Sequence, residues 1–298
     1  MHDSPTADTA RSGPSRRTLL VGALAASAAF PAPALARRLV GREPFTIGVL
    51  APGILPESAR EATASRMERA VARPVRLRRF GSAARLVDAA AGGRVDLAVH
   101  TALSYASTAG LCGCSAPLLR PVASDGTAGL RAVLIVRGRG PTGLGDLPGA
   151  SSGKGAAILG AAPGTVAGEV VRRGVAADAG RPLPFAGEAP DAALSRFMAG
   201  GGVALAGHER VDADGAALGG TLERLGGGYR VLWRSRPVWH GPLALSARAD
   251  PLADRVTGAL LALAPGSAAL AGLGLGRVRG FTAATADDYA PLVALLRP

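Results

Sequence analysis

Four residues, Gly-Thr-Val-Ala at positions 164–167, join an apolar run to a helical pattern and are candidates for ligand binding. The first turn of a helix has N–H groups without intrahelical partners and lies at the positive end of the helix dipole, so it favours an anion. Thr165 could contact that anion, or it could cap the helix and do nothing more. The pattern indicates an anion site without requiring one.

A second group of polar side chains follows another apolar run, residues 95–99. Thr101, Ser104 and Tyr105 could present hydroxyls to a ligand there. The alternative is that Thr101 caps a helix and that Tyr105 packs in the core with its hydroxyl satisfied.

Charged residues follow two further apolar segments. Glu188 comes after Phe185, and His208 and Glu209 come after Ala206. A carboxylate in a cleft could bind a cationic group of a ligand, whereas solvated loop charge is the more common role for such residues.

No motif with specific catalytic spacing occurs. Residues 149–155 superficially resemble a phosphate-binding loop, but the glycine spacing is too short and Gly155 stands where a Ser or Thr would bind magnesium. The Ser-x-x-Lys at 151–154 lacks its companion motifs. We therefore predict a protein that is not an enzyme and that uses neither a cofactor nor a metal. Cys112 and Cys114 could form a strained local disulfide or remain two idle thiols.

Alternating strand and helix patterns must position these residues. The first half predicts strands at 45–50, 75–78 and 95–99 with helices at 57–72 and 82–91, and the second half predicts strands at 156–159, 184–185 and 203–206 with helices at 165–177 and 190–198. The last 50 residues are predicted to be helical. Helical crossovers imply parallel pairing, and ligands of open parallel sheets lie outside the carboxyl ends of the strands.

Residues 1–36 have the pattern of an export signal. Arg16 and Arg17 precede a weakly apolar stretch of 13 residues, and Ala34 and Ala36 fit a small-x-small cleavage site. That stretch is shorter than the ~20 residues of a membrane-spanning helix. The paired arginines favour the twin-arginine route, with an ordinary signal as the alternative. We expect a periplasmic protein that does not span the membrane once processed.

The net charge raises the hypothesis of a nucleic-acid partner, because the chain has 34 basic and 22 acidic residues and a formal net charge of +12. However, the arginines are scattered, aromatic residues make up only 4% of the chain, and no nucleic-acid-binding signature is present. We therefore exclude nucleic acid as a partner. The length of 298 residues suits one large domain or two ordinary ones.

Several segments, in order, resemble the periplasmic phosphate/phosphite/phosphonate-binding proteins of ABC transporters. No single motif is specific, and the ordered series over roughly residues 45–295 carries the resemblance. Its members are 93–99 (Gly-Arg-Val-Asp-Leu-Ala-Val), Ser104-Tyr105, 119–122 (Leu-Arg-Pro-Val), 132–136 (Ala-Val-Leu-Ile-Val), 145–149 (Gly-Asp-Leu-Pro-Gly), 162–165 (Ala-Pro-Gly-Thr), 185–187 (Phe-Ala-Gly) with Asp191-Ala192, 229–235 (Tyr-Arg-Val-Leu-Trp-Arg-Ser) and 287–289 (Asp-Asp-Tyr).

The resemblance implies an α/β fold, the two-lobed type II periplasmic-binding-protein fold. Each lobe is expected to be a mostly parallel sheet flanked by helices, and hinge strands join the lobes around a cleft. We predict residues 37–132 and 238–298 as lobe 1 and residues 133–237 as lobe 2.

It also implies which residues line the cleft. Residues 164–168 match the hydroxyl-rich segment that binds phosphonate oxygens in that family, although only Thr165 keeps a hydroxyl. Tyr105 matches a family tyrosine, the family histidine is missing from residues 187–191, and the family acid falls near His208-Glu209. The predicted ligand-binding set is Thr101, Ser104, Tyr105, Gly164, Thr165, Val166, Ala167, Glu188, His208 and Glu209.

The expected function is an exported receptor that captures a small anion or polar metabolite for an ABC permease. The alternative is a periplasmic sensor or accessory protein of the same fold that acts through a protein partner.

Overall fold

The computed structural model describes residues 43–51, 54–150 and 157–297. The predicted export signal, with Arg16, Arg17, Ala34 and Ala36, lies outside the described residues, as do residues 151–156. Among the residues described, no helix is long and apolar enough to cross a lipid bilayer.

The first sheet has six strands in the order β12-β4-β11-β3-β1-β2. Their bounds are β1 Phe45–Leu50, β2 Val75–Phe80, β3 Leu97–Val99, β4 Ser115–Ala123, β11 Leu243–Ser246 and β12 Val278–Ala283. The helices α1 (Glu57–Val71) and α2 (Ala83–Ala91) connect β1, β2 and β3, which pair in parallel. α2 begins where the Ser82 side chain accepts the N–H of Arg85.

The second sheet has the strand order β10-β5-β7-β6, with β8 beside β7 and β9 beside β5. The bounds are β5 Gly129–Arg137, β6 Ile158–Leu159, β7 Ala204–Val211, β8 Ala217–Gly220, β9 Tyr229–Arg234 and β10 Val238–Trp239. Helices α4 (Val166–Ala179) and α5 (Pro190–Met198) connect β6 to β7, and α6 (Thr221–Leu225) follows β8.

The apolar run in β5 explains why this sheet is covered on both faces. Ala132, Leu134 and Val136 pack into one core cluster, whereas Val133 and Ile135 pack into another, and all five are fully buried. Side chains of a strand alternate between faces, so an unbroken apolar run indicates a strand with a core on each side.

The strand pairing differs from the mostly parallel sheets that we predicted. β3–β11, β11–β4 and β4–β12 are antiparallel in the first sheet, and β5 is antiparallel to β7, β9 and β10 in the second. The helical crossovers do produce parallel pairs, including β6–β7. The antiparallel pairs come from the strands by which the chain passes from the first sheet to the second and later returns to the first.

The last 50 residues are also not wholly helical, because β12 pairs with β4 between the helices α7 (Ala253–Leu261), α8 (Ala268–Gly272) and α9 (Ala286–Leu296). The strand is short and its neighbours are rich in Ala and Leu, so a helical composition hides it.

Two helices hold the sheets together. α3 (Ala102–Cys112) follows β3, and α9 packs against both α3 and α4. One apolar cluster contains Ala106 of α3, Val171 of α4 and Leu292 of α9. α9 is fixed further by an ion pair between Arg120 and Asp288 at 2.9 Å and by a hydrogen bond from Arg173 Nη1 to the Leu295 carbonyl at 3.2 Å. At the end of α3, Cys112 forms a disulfide with Cys114, one of the two alternatives left open above.

Candidate functional site

A cavity of about 320 Å³ opens at the carboxyl end of β6. This is the edge of the sheet where the parallel crossovers place a ligand. Its lining residues come from the second sheet and its helices: Leu130, Gly160, Thr165, Val166, Ala167, Pro190, Leu194, Leu205, Ala206, Gly207, His208, Thr221 and Arg224. We call this cavity the α4 pocket.

The first turn of α4 forms one wall of the pocket. Thr165 caps the helix, because its Oγ1 accepts the N–H of Gly168 at 3.1 Å and donates to the Ala162 carbonyl at 2.8 Å. Gly168 allows this tight turn, since a Cβ there would lie 2.2 Å from the Ala162 oxygen. Within the described part of the chain, the N–H groups of Val166 and Ala167 have no acceptor. These two N–H groups and the helix dipole favour an anion.

Thr221, at the start of α6, adds a buried hydroxyl to the pocket. It is 8% exposed, and its Oγ1 accepts the backbone N–H of His208 at 3.0 Å. A hydroxyl that accepts one hydrogen bond still has its own proton to donate. No described residue accepts that proton, so the Thr221 hydroxyl can donate it to a ligand.

His208 adds a ring N–H to the pocket, and Arg224 adds a positive charge. Burial lowers the pKa of His208, and the charges of Arg210 and Arg224 lower it further, so the imidazole is neutral at pH 7 and supplies one ring N–H. Arg224 shares its charge with Asp191, whose Oδ1 lies 3.0 Å from Nη2. No carboxylate is among the described lining residues. The pocket therefore offers hydrogen-bond donors and positive potential, as an anion site must.

The structure brings four predicted residues together at this pocket, namely Thr165, Val166, Ala167 and His208, and Gly164 forms the turn that precedes them. Gly164 has φ +78°, a left-handed conformation that favours glycine. The Thr165 hydroxyl is used in the cap, so the backbone N–H groups carry the anion-binding potential of this segment.

The hydroxyl residues of the first lobe lie elsewhere, at the start of α3. Thr101 and Ser104 form a capping box, in which Thr101 Oγ1 accepts the Ser104 N–H at 3.1 Å and Ser104 Oγ accepts the Thr101 N–H at 2.9 Å. Tyr105 is 2% exposed and packs edge-to-face on Tyr289, with ring centroids 4.8 Å apart. Burial also raises the pKa of Tyr105. Thr101 therefore caps α3 and the Tyr105 ring packs in the core, and none of the three residues lines the α4 pocket.

Both predicted carboxylates are held by arginines. Glu188, which precedes α5, pairs with Arg196 of that helix. Glu209 is buried and binds the guanidinium of Arg234 through both oxygens, with Nη2 to Oε1 at 2.7 Å. Neither residue lines the α4 pocket.

Sequence reasoning missed Thr221 and Arg224. Both follow Gly219-Gly220, where β8 passes so close to β7 that a Cβ on Gly220 would lie 2.2 Å from the His208 carbonyl oxygen. That glycine pair was the available sign of a close approach to the strand carrying His208.

A second cavity, of about 360 Å³, lies between α4, the β9–β10 connection and α9. Trp233 forms part of its wall and donates from Nε1 to Asp178 Oδ2 at 2.6 Å. Its walls mix carboxylates, arginines and apolar side chains. No group of three or more His, Cys, Asp or Glu side chains in the described residues could hold a metal ion.

Comparison with known families is decisive for the class of protein. Residues 56–289 match the family described as "ABC transporter, phosphonate, periplasmic substrate-binding protein". The chain belongs to this family. Its members are periplasmic binding proteins rather than enzymes, as we expected from the sequence. No match was found among curated proteins.

Solved structures agree on the fold. A protein from Xanthomonas citri, solved with chloride ion and with ATP, has a TM-score of 0.59 and 15% identity over 84% of this chain and 96% of that one. A binding protein component of an ABC phosphonate transporter from Pseudomonas aeruginosa has a TM-score of 0.50 and 13% identity over 85% of each chain. The predicted two-lobed periplasmic-binding-protein fold is confirmed.

Proposed function

We propose that this family member is an exported receptor that captures a small anion in the α4 pocket and delivers it to an ABC permease. One observation carries the proposal. Free N–H groups at the start of α4, the Thr221 hydroxyl and Arg224 converge on a cavity whose described lining has no carboxylate. Membership of the phosphonate-transporter family supports the partner, and the paired arginines before the apolar stretch support export to the periplasm by the twin-arginine route.

In this proposal the α4 pocket is one wall of a cleft between two lobes, residues 37–132 with 238–298 and residues 133–237. The return connection from β10 to β11 packs directly on the start of α3, where a Cβ on Gly241 would lie 2.0 Å from the His100 carbonyl oxygen. Rotation about such connections would bring Thr101 towards the pocket and exclude water from a bound anion.

A thermal-shift screen tests the site. Phosphate, methylphosphonate, methanesulfonate and acetate are suitable first probes. A probe present at 100 times its Kd should stabilise the protein by about 2.7 kcal/mol, which corresponds to roughly 5–10 °C in Tm. Thr165→Asp should abolish the shift, because Asp also caps helices but places a negative charge against the anion.

Ser267→Asp is the matched control. Ser267 caps α8 by accepting the N–H of Leu270, and it lines neither cavity described above. The control should keep the full ligand-induced shift. Equal shifts in wild type, Thr165→Asp and Ser267→Asp would mean that the anion binds elsewhere.

The alternative function, a sensor or accessory protein acting through a protein partner, is favoured by the engaged hydroxyls of Thr101 and Ser104. These groups bond to each other rather than facing a ligand. Mass spectrometry of the receptor purified from periplasm separates the two. A co-purified small anion supports transport, whereas a stoichiometric protein partner without a small ligand supports sensing.

A further inference from the structure

The groups that line the α4 pocket supply fewer than two positive charges. Arg224 is the one arginine among its described lining residues, and it shares its charge with Asp191 at 3.0 Å. His208 is neutral at pH 7 because burial and two neighbouring arginines lower its pKa. The dipole of α4 adds the equivalent of about half a charge. A second negative charge on a ligand would enter the pocket without a partner, which is costly where solvent is excluded.

The rest of the pocket is apolar. Its other lining residues are mostly apolar and include Leu130, Val166, Ala167, Pro190, Leu194 and Leu205. If the bound anion had no apolar part, these apolar residues would stay in contact with water. An apolar substituent of the ligand would cover them, and each buried methylene would tighten binding about three- to fourfold.

The number of donors also suits one compact headgroup. The N–H groups of Val166 and Ala167 and the buried hydroxyl of Thr221 are three donors that have no acceptor among the described residues. These three donors, with the His208 ring N–H and Arg224 beside them, can serve the three oxygens of a tetrahedral headgroup or the two oxygens of a carboxylate.

We propose that the α4 pocket selects a singly charged organic anion with a compact apolar body, a sulfonate or a carboxylate, over a doubly charged anion of the same shape. This inference rests on the proposed function, because it concerns the same pocket.

Benzenesulfonate and phenylphosphonate are matched probes for this selectivity. They share the ring and the tetrahedral headgroup, and at pH 8 they carry one and two negative charges respectively. Titration calorimetry of the full mature chain should show benzenesulfonate binding at least tenfold more tightly. Methane-, propane- and pentanesulfonate should bind progressively more tightly, by about three- to fourfold per methylene, until the cavity is filled.

Variants at Thr221 connect the selectivity to the pocket. Thr221→Val removes the hydroxyl and should weaken benzenesulfonate at least fivefold, whereas Thr221→Ser should bind as the wild type does. Thermal unfolding of both variants without ligand shows whether Thr221→Val is folded. Arg224→Ala should weaken the binding of every anion, and Arg69→Ala is its control, because Arg69 lies in α1, bonds to Ser65 Oγ at 2.9 Å and does not line the pocket.

The outcomes separate this inference from the proposed function. Phenylphosphonate binding as tightly as benzenesulfonate, with both lost in Thr165→Asp, would overturn the selectivity and leave the anion receptor standing. An affinity that does not change along the alkanesulfonate series would also overturn it. No binding of any probe to the wild type would overturn both proposals.

Discussion

The pair formed by Glu209 and Arg234 yields a prediction that distinguishes a structural carboxylate from a ligand-binding one. The two side chains are unequally buried, since Glu209 is 10% exposed and Arg234 is 52% exposed. Arg234→Met keeps the aliphatic stem but leaves a buried carboxylate without its counter-charge. Glu209→Gln leaves an arginine that water can solvate. Removing the arginine should therefore destabilise the protein more than removing the carboxylate.

The magnitudes follow from the burial. Loss of one partner of a fully buried ion pair costs about 3–5 kcal/mol, and loss of an exposed pair costs about 0–1 kcal/mol. Because Arg234 is half-exposed, Arg234→Met should lower the free energy of unfolding by about 2–3 kcal/mol, between these two limits. Glu209→Gln should lower it by about 1 kcal/mol. The double variant should be more stable than Arg234→Met alone, because it no longer buries a charge.

Urea unfolding of the four proteins gives these free energies of unfolding, and calorimetry with benzenesulfonate gives their affinities. Glu188→Gln is the control, because its pair with Arg196 is more exposed. All four proteins should bind the anion alike. A greater loss of stability in Glu209→Gln than in Arg234→Met would refute the burial argument, and an altered affinity with unaltered stability would show that Glu209 faces the ligand.

Two further predictions concern the helix start and the first lobe. Gly168→Ala should destabilise the protein by more than 2 kcal/mol and abolish anion binding, because its Cβ would lie 2.2 Å from the Ala162 oxygen. Gly110→Ala is the control: Gly110 lies in α3 with open space around it, so this variant should instead stabilise the protein by about 0.5–1 kcal/mol. Equal effects of the two variants on urea unfolding would refute the steric argument. His100 is 5% exposed, and burial lowers its pKa from 6.5 to about 4. Between these two pH values the unfolded chain binds a proton on His100 that the folded chain does not. The contribution of neutral His100 to the free energy of unfolding is therefore fully present above pH 6.5 and is lost as pH falls towards 4, which costs roughly 2 kcal/mol at pH 5. His100→Gln should remove that part of the pH dependence in unfolding at pH 7.5 and 5, and an unchanged slope would contradict it.

The sequence predicts the start of α4 because the relevant order is local. Gly164 makes the turn, Thr165 caps the helix, and the free N–H groups follow in the same turn. All of these are properties of a few consecutive residues. The capping role of Thr101 is local in the same sense, and it was one of the two interpretations left open.

The rest of the site depends on strand register, which short-range patterns do not determine. His208 and Glu209 are neighbours on β7, and neighbours on a strand point to opposite faces of the sheet. Only His208 lines the α4 pocket, while Glu209 binds Arg234. Thr221 and Arg224 reach the pocket because β8 folds back on β7, and that pairing is shifted by an irregularity between Glu209 and Val211.

The starts of α3 and α4 differ in the hydrogen-bonding groups that they leave free. At α3, Ser104 Oγ bonds to the Thr101 N–H and lies 3.1 Å from His100 Nδ1, so its hydroxyl is already engaged. At α4 the first N–H groups remain free. Under the proposed function, lobe 2 would therefore supply most of the binding free energy, and closure of lobe 1 over the anion would mainly remove water. Helix α9 is bonded both to Arg120 in β4 and to Arg173 in α4, so it would have to lose or adjust one of these contacts in such a closure.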